Sequence, residues 1–96
     1  MLLCAALKIK DESFKPEGFL ILPCLRHGFG YSTLHDLVGT KYHQRDIVEG
    51  FIDTNGKFYD RRDAYEYAMV NGQLSASTRE LKRENCETEL YSEDLY

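Results

Sequence analysis

Two short stretches hold the cationic side chains best placed to meet a ligand. The first is "LRHGFGYS", where Arg26 and His27 stand before two glycines. A bend there offers both side chains together with exposed backbone N–H groups, a setting that suits phosphate. The second is "FYDRRDA", where Arg61 and Arg62 follow Asp60 at an expected helix start. The positive end of a helix dipole disfavours cations, so an arginine pair there needs a reason. One reason is the flanking acids, Asp60 and Asp63. Another is an anion gripped bidentately at the helix N-terminus. Phe51 and Tyr59 lie near these arginines and supply rings able to stack on a purine.

Other chemistry finds little footing. His27, His35 and His43 are eight residues apart, which does not place them on one helix face, and no HExxH is present, so no metal site is expected. The three cysteines form no CxxC pair, which removes zinc-ribbon and thioredoxin-type motifs. Cys4 and Cys24 read as core thiols on strands. "GFGYS" lacks the full GxGxxG and the lysine of a P-loop, and no GxSxG occurs. The expectation is a binding protein without catalysis and without a cofactor.

The bulk properties agree. The chain has 96 residues, one domain by length, and its net charge of -4 argues against DNA held by phosphate contacts. A domain of this size buries a modest share of its surface and gains from association with copies of itself. The opening "MLLCAALKIK" has no cation before its short apolar run. It reads as a strand and not as a signal peptide or a membrane span, so an intracellular protein is expected.

These side chains must be positioned by a few short elements. "LLCAALKI" and "FLILP" read as two strands of a hairpin joined through the turn signal "KPEG", with Pro23 at an edge. Gly28 and Gly30 are expected to break the chain. A short helix should then start at Ser32 or Thr33, carry Leu34, Leu37 and Val38, and stop at Gly39. "TKYHQRD" reads as a loop. "IVEGFIDTNGKFYD" reads as a second hairpin with a type I′ turn at Asn55-Gly56, flanked by Phe51 and Phe58 packing across it. Asp60 is placed to cap a helix with Ala64, Tyr65, Ala68 and Met69 on one stripe, ending at Asn71-Gly72. After residue 78 the sequence turns polar and acidic; a helix is possible over 79–85, and the last ten residues read as a mobile tail.

The residues "LLCAALKI", "RH" and "GFIDTNGKFYDRRDAYEYAMVNGQL" together resemble the Thoeris anti-defence proteins of the first described family, with most weight on residues 49–74. Members of that family are small phage proteins that act as sponges. They hold cyclic ADP-ribose isomers without cleaving them, assemble as dimers or dimer-based hexamers with the signal between subunits, and in some cases take cyclic oligonucleotides at a second site. Family members set their histidines close together after the arginine, whereas here His27 and His35 are separated.

The expected fold is α+β: a small antiparallel sheet of about four strands with two main helices, oligomeric. Residues 1–78 form a single ligand-sequestering domain and 79–96 a polar, acidic, partly helical or disordered tail. The resemblance implies sequestration of a cyclic ADP-ribose-type signal in the host bacterial cytoplasm during infection, with no DNA and no membrane as partner. For such a ligand we expect Arg26 and Arg61 on phosphates, Phe51 stacked on the base, Asp60 and Gln73 on ribose or base edges, and His27 as a further polar contact. The alternative reading is a phage inhibitor that covers a host defence protein directly, using the acidic tail and its tyrosines. A hydrolase of the signal is a third.

Overall fold

The computed structural model describes residues 1–14, 16–39 and 41–95. Lys15 of the "KPEG" turn, Thr40 of the "TKYHQRD" loop and Tyr96 of the tail therefore lie outside the described residues. Four strands, β1 (Leu2–Lys10), β2 (Phe19–Cys24), β3 (Ile47–Asp53) and β4 (Phe58–Asp60), make one antiparallel sheet in the order β2-β1-β3-β4. Three helices accompany it among the described residues: α1 (His27–Val38), α2 (Arg61–Val70) and α3 (Ala76–Glu84). Short 3-10 turns occupy Gln44–Asp46 and Ser92–Asp94. The class is α+β as expected; α1 and α2 are the two main helices, and α3 covers most of the 79–85 stretch where a further helix was possible.

The hairpins form where local chemistry favours them. β1 and β2 pair from Ala5↔Cys24 to Lys10↔Phe19. The connection is closed by Asp11 N–H donating to the Gly18 carbonyl at 3.0 Å, with Gly18 at φ 78. Pro23 lies in β2, an edge strand, where its missing N–H removes no ladder bond on the solvent side. The β3–β4 turn departs from the expected type I′. Only Gly56 has positive φ, at 80°; Gly56 N–H donates to the Asp53 carbonyl and Asp53 N–H to the Lys57 carbonyl. This is a three-residue loop ending in a left-handed glycine. The Asp53 carboxylate fixes it by accepting from the N–H groups of Asn55 and Lys57, both at 2.9 Å.

Side chains alternate across a strand, so the register assigns each to a face. Ala5, Leu7 and Ile9 of β1 share a face with Phe51, Glu49 and Ile47 of β3. The helices cover this face. Phe51, Ala64, Ala68, Leu74 and Leu90 form one buried cluster with Leu2 and Ala5, and Leu7, Ile9 and Leu34 form a second. The other face carries Cys4, Ala6, Lys8, Val48, Gly50, Ile52 and Phe58. It is roofed by its own long side chains: the Lys8 ammonium lies 4.2 Å from the Phe19 ring centre and 5.7 Å from that of Phe58. Phe51 and Phe58 thus point to opposite faces and do not pack across the turn as the sequence suggested. Phe51 pairs with Tyr59, and Phe58 with Ile52.

Helix α1 corrects a second expectation. It begins at His27, with Arg26 at the N-cap position and no side-chain cap, and it runs through both glycines. Gly30 serves close approach rather than a break. A Cβ there would stand 2.9 Å from Cys24 Sγ and 3.0 Å from Leu7 Cδ1. Gly39 ends the helix at φ 64, its N–H donating to the His35 carbonyl at 2.8 Å. Helix α2 follows the expected plan. The Asp60 carboxylate accepts from Asp63 N–H at 2.8 Å, Ala64 and Ala68 are buried, and Gly72 follows at φ 67. An N-cap of this kind stabilises by about 1 kcal/mol.

The boundary drawn at residues 78 and 79 falls inside α3, which Ser75 caps by accepting from Thr78 N–H at 3.1 Å. The segment beyond α3 is not a free tail. Leu90 is fully buried in the first cluster, and its N–H donates to the Arg61 carbonyl at 2.9 Å. Lys82 of α3, 2% exposed, sends its ammonium to Asp94 at 2.8 Å and to the Glu89 carbonyl at 2.8 Å. Acidic composition hid one apolar anchor and one buried ion pair. No helix among the described residues is long and apolar enough to cross a membrane.

Candidate functional site

Where β4 runs into α2, the chain places Arg61 against the covered face of the sheet. Its guanidinium donates to the Leu90 carbonyl at 2.9 Å and to the Glu49 carboxylate. It lies over the Tyr91 ring at 4.6 Å from the centre and 3.4 Å from Nδ1 of His27. Glu49 accepts a second hydrogen bond, from the Tyr31 hydroxyl at 3.0 Å. The remaining nitrogen of His27, Nε2, donates to the Gly50 carbonyl at 2.8 Å. One network therefore draws on α1 (His27, Tyr31), β3 (Glu49, Gly50), α2 (Arg61) and the C-terminal segment (Leu90, Tyr91).

The strand register explains Glu49. Its neighbours on the covered face are apolar, and the carboxylate survives there because two donors meet it. Burial pushes its pKa up, but the hydrogen bonds from Arg61 and Tyr31 outweigh that and hold it below the ordinary carboxylate value. Tyr31 is the mirror case, its hydroxyl pushed up to about 12 by burial and by the bond to Glu49. His27 is lowered, first by burial and further by the Arg61 cation, against the opposing pull of the Gly50 carbonyl. A carbonyl can only accept, so Nε2 carries the proton. Nδ1 then faces a guanidinium donor. Both nitrogens are committed, and the imidazole orients Arg61 instead of serving as a base.

Beside this network a cleft of about 390 Å³ is lined by Tyr31, Gln44, Ile47, Val48, Glu49, Asp60, Arg61, Arg62 and Glu89. Arg62 is exposed and makes no ion pair among the described residues. A larger groove of about 620 Å³ runs between α2 and α3, lined in part by Tyr65, Met69, Arg79 and Cys86. It contains no member of the network, so the charge arrangement and not the volume selects the smaller cleft.

The structure distributes the expected site residues unevenly. Arg61, His27 and Asp60 come together: Arg61 and Asp60 line the cleft, and His27 stands behind Arg61. Arg26, half-buried at the α1 N-cap position, does not line it. Phe51 is fully buried, with its ring edge-on to His27 at 5.3 Å, so in this chain it offers no face to a base. Gln73 is spent on the backbone of β1. Its Oε1 accepts from Leu2 N–H at 2.6 Å, and its Nε2 donates to the Leu2 carbonyl at 3.1 Å. The residues missed were Glu49, Tyr31 and Tyr91. Glu49 left a signal, a lone acid in the apolar run "IVEGFID". Tyr91 left only the pair Leu90-Tyr91 inside an acidic stretch.

These elements define a small protein of the α+β class, with a charged network clasped between sheet, helices and C-terminal segment. The chain matches the family described as Phage T4 y16D protein over residues 1–96, and it belongs to that family. No curated protein and no solved structure matches it.

Proposed function

We propose that this phage protein binds and holds a cyclic ADP-ribose-type immune signal without cleaving it, and so keeps a Thoeris effector inactive in the infected cell. The observation that supports this reading is the arginine pair at the N-terminus of α2. Arg61 and Arg62 stand at the positive end of a helix and border an open cleft. Phosphate favours both features. In this reading Arg62 makes the first contact with a phosphate, and Arg61 follows if the anion displaces Glu49. Tyr31 lines the cleft, so its ring replaces Phe51 as the partner for the purine. The cleft volume lies within the range of small-molecule sites, and a site shared between copies would enclose more of the ligand. The direct-inhibitor reading used the tyrosines of the tail as its surface; Leu90 is turned into the core and Tyr91 onto Arg61.

The test is a release assay. The purified protein is incubated with signal made by a TIR enzyme, filtered, and denatured by heat, and what comes off is identified by mass spectrometry. Intact cyclic ADP-ribose released only on denaturation is the expected result. A converted product would mean an enzyme, and signal free in the first filtrate would remove the sponge reading. Arg62→Ala is the sharper probe of the cleft than Arg61→Ala, because Arg61 also holds the Leu90 carbonyl and Glu49.

A further inference from the structure

The cleft beside Arg62 does not end at Tyr31. Tyr31 and Ile47 also line a second chamber, of about 570 Å³. The repeat of α1 builds much of it. Tyr31 and His35 stand one turn apart on one row of the helix, and Ser32, Asp36 and Gly39 follow on the next. Gly39 stops the helix, and Tyr42 and Ile47 of the returning chain complete the lining. The chamber rests on apolar core: Leu34 is buried, and Tyr31, Tyr42 and Ile47 pack against its cluster. Tyr42 is held in place by its hydroxyl, which donates to the Asp11 carboxylate at 2.7 Å. His35 and Asp36 are different. Both are exposed, and among the described residues their side chains form no hydrogen bond and no ion pair.

We propose that this second chamber is the base subsite of the cleft: a purine nucleotide with its phosphates at Arg62 reaches past Tyr31, and His35 and Asp36 read the edge of its base and select adenine. A carboxylate can only accept hydrogen bonds, whereas an imidazole has an N–H to donate. Adenine presents, side by side on one edge, an amino group that donates and a ring nitrogen that accepts. The two free side chains match that pair, Asp36 taking the amino group and His35 the ring nitrogen. Guanine and hypoxanthine carry a carbonyl where adenine carries the amino group. That oxygen would face the Asp36 carboxylate, acceptor against acceptor. Tyr31 stands at the junction of the two spaces, where a ring can lie along the base. Gln73, the side chain expected at a base edge, is committed to the Leu2 backbone, so the reading of the base falls to groups that are free.

This inference deepens the proposed function and rests on its placing of a phosphate at Arg62. Calorimetric titration of the full chain with pyrophosphate, ADP and IDP is the test; IDP differs from ADP in carrying hypoxanthine. ADP should bind about tenfold more tightly than pyrophosphate, the gain a stacked base supplies. IDP should bind about tenfold more weakly than ADP, for the lost hydrogen bond to a charged group. Asp36→Ala should weaken ADP by a similar factor, erase the difference between ADP and IDP, and leave pyrophosphate as it was. His35→Ala should weaken ADP and IDP alike. Circular dichroism should not change in either variant, because both side chains are exposed and support nothing else. Equal affinities for ADP and pyrophosphate would overturn the proposal, as would equal affinities for ADP and IDP in the wild type, or variants that bind ADP like the wild type. Cyclic ADP-ribose left in the first filtrate, with ADP still bound through Asp36, would remove the sponge reading and leave the base subsite standing. Cyclic ADP-ribose retained equally by the wild type and Asp36→Ala would do the reverse.

Discussion

His27 and Arg61 face each other across 3.4 Å, nitrogen to nitrogen, while the far side of the imidazole donates to the Gly50 carbonyl. The pair is compatible only with a neutral ring whose proton is on Nε2. A protonated ring would bring a second cation against the guanidinium in a buried place.

Stability should therefore fall on the acid side. The pKa of His27 is depressed in the folded state below its ordinary 6.5. The unfolded chain takes up the proton first, so the contribution is complete above about pH 6.5 and is lost as the pH falls toward the folded value. Urea unfolding from pH 8 to pH 5 should show a steeper acid-side loss for the wild type than for His27→Gln. Parallel curves for the two proteins would refute this.

Glu49 is the internal counter-ion of Arg61, and both are partly exposed, 29% and 19% respectively. Glu49→Gln keeps an acceptor for Tyr31 but removes the charge that competes with an incoming anion. We expect a loss of about 1–2 kcal/mol in stability together with tighter binding of pyrophosphate by calorimetry. Weaker or unchanged pyrophosphate binding would place the anion elsewhere.

Lys82 is a buried cation whose hydrogen-bond and ion-pair partners come from the segment after α3: Asp94, the Glu89 carbonyl and, at 3.4 Å, Glu87. Removing one side of such a pair strands the other. Lys82→Met should cost about 3–5 kcal/mol in chemical denaturation. Lys82→Met combined with Asp94→Asn should recover part of it. A double variant as unstable as the sum of the two singles would show that the pair is not coupled.

Gly50 marks the tightest place in the sheet. A Cβ there would collide with the Tyr59 carbonyl oxygen and stand 2.5 Å from the Phe58 ring. The ring can turn away, but the backbone oxygen belongs to the β3–β4 ladder. Gly50→Ala should lower stability by about 1–3 kcal/mol, read from the thermal or urea midpoint, and a wild-type midpoint would contradict the crowding.

Truncation after Thr88 removes Leu90, Tyr91 and Asp94 together. Loss of a fully buried leucine alone costs about 2–5 kcal/mol. The shortened chain should therefore lose its cooperative unfolding transition, whereas a dispensable tail would leave that transition in place.

Much of the architecture was legible where a local rule sufficed. Asp60 and Gly72 bracket α2 because capping and left-handed backbone are decided by one residue each. The two hairpins followed from apolar runs and turn residues. What failed depended on distant partners. Gly28 and Gly30 read as breaks because nothing in the sequence shows that β1 and β2 press on the helix at Gly30. Phe51 read as a ligand platform because its burial is set by α2 and by Leu90, nearly forty residues further on. Gln73 read as a ligand contact, yet its partner, Leu2, is 71 residues away. The site was half legible for the same reason: the arginines stand next to one another in the chain, while Glu49, Tyr31 and Tyr91 reach them only through the fold.

The strand order carries a kinetic consequence. Each hairpin closes locally, β1 with β2 and β3 with β4, but the seam between β1 and β3 joins residues as far apart in sequence as Leu2 and Asp53. Closing that seam bears the entropy of a long loop, and the loop contains α1. The helix must find its place under the sheet in the same event. Folding should thus be a single slow step, with the amides of the central seam forming last and, once formed, exchanging with solvent only when the whole chain opens.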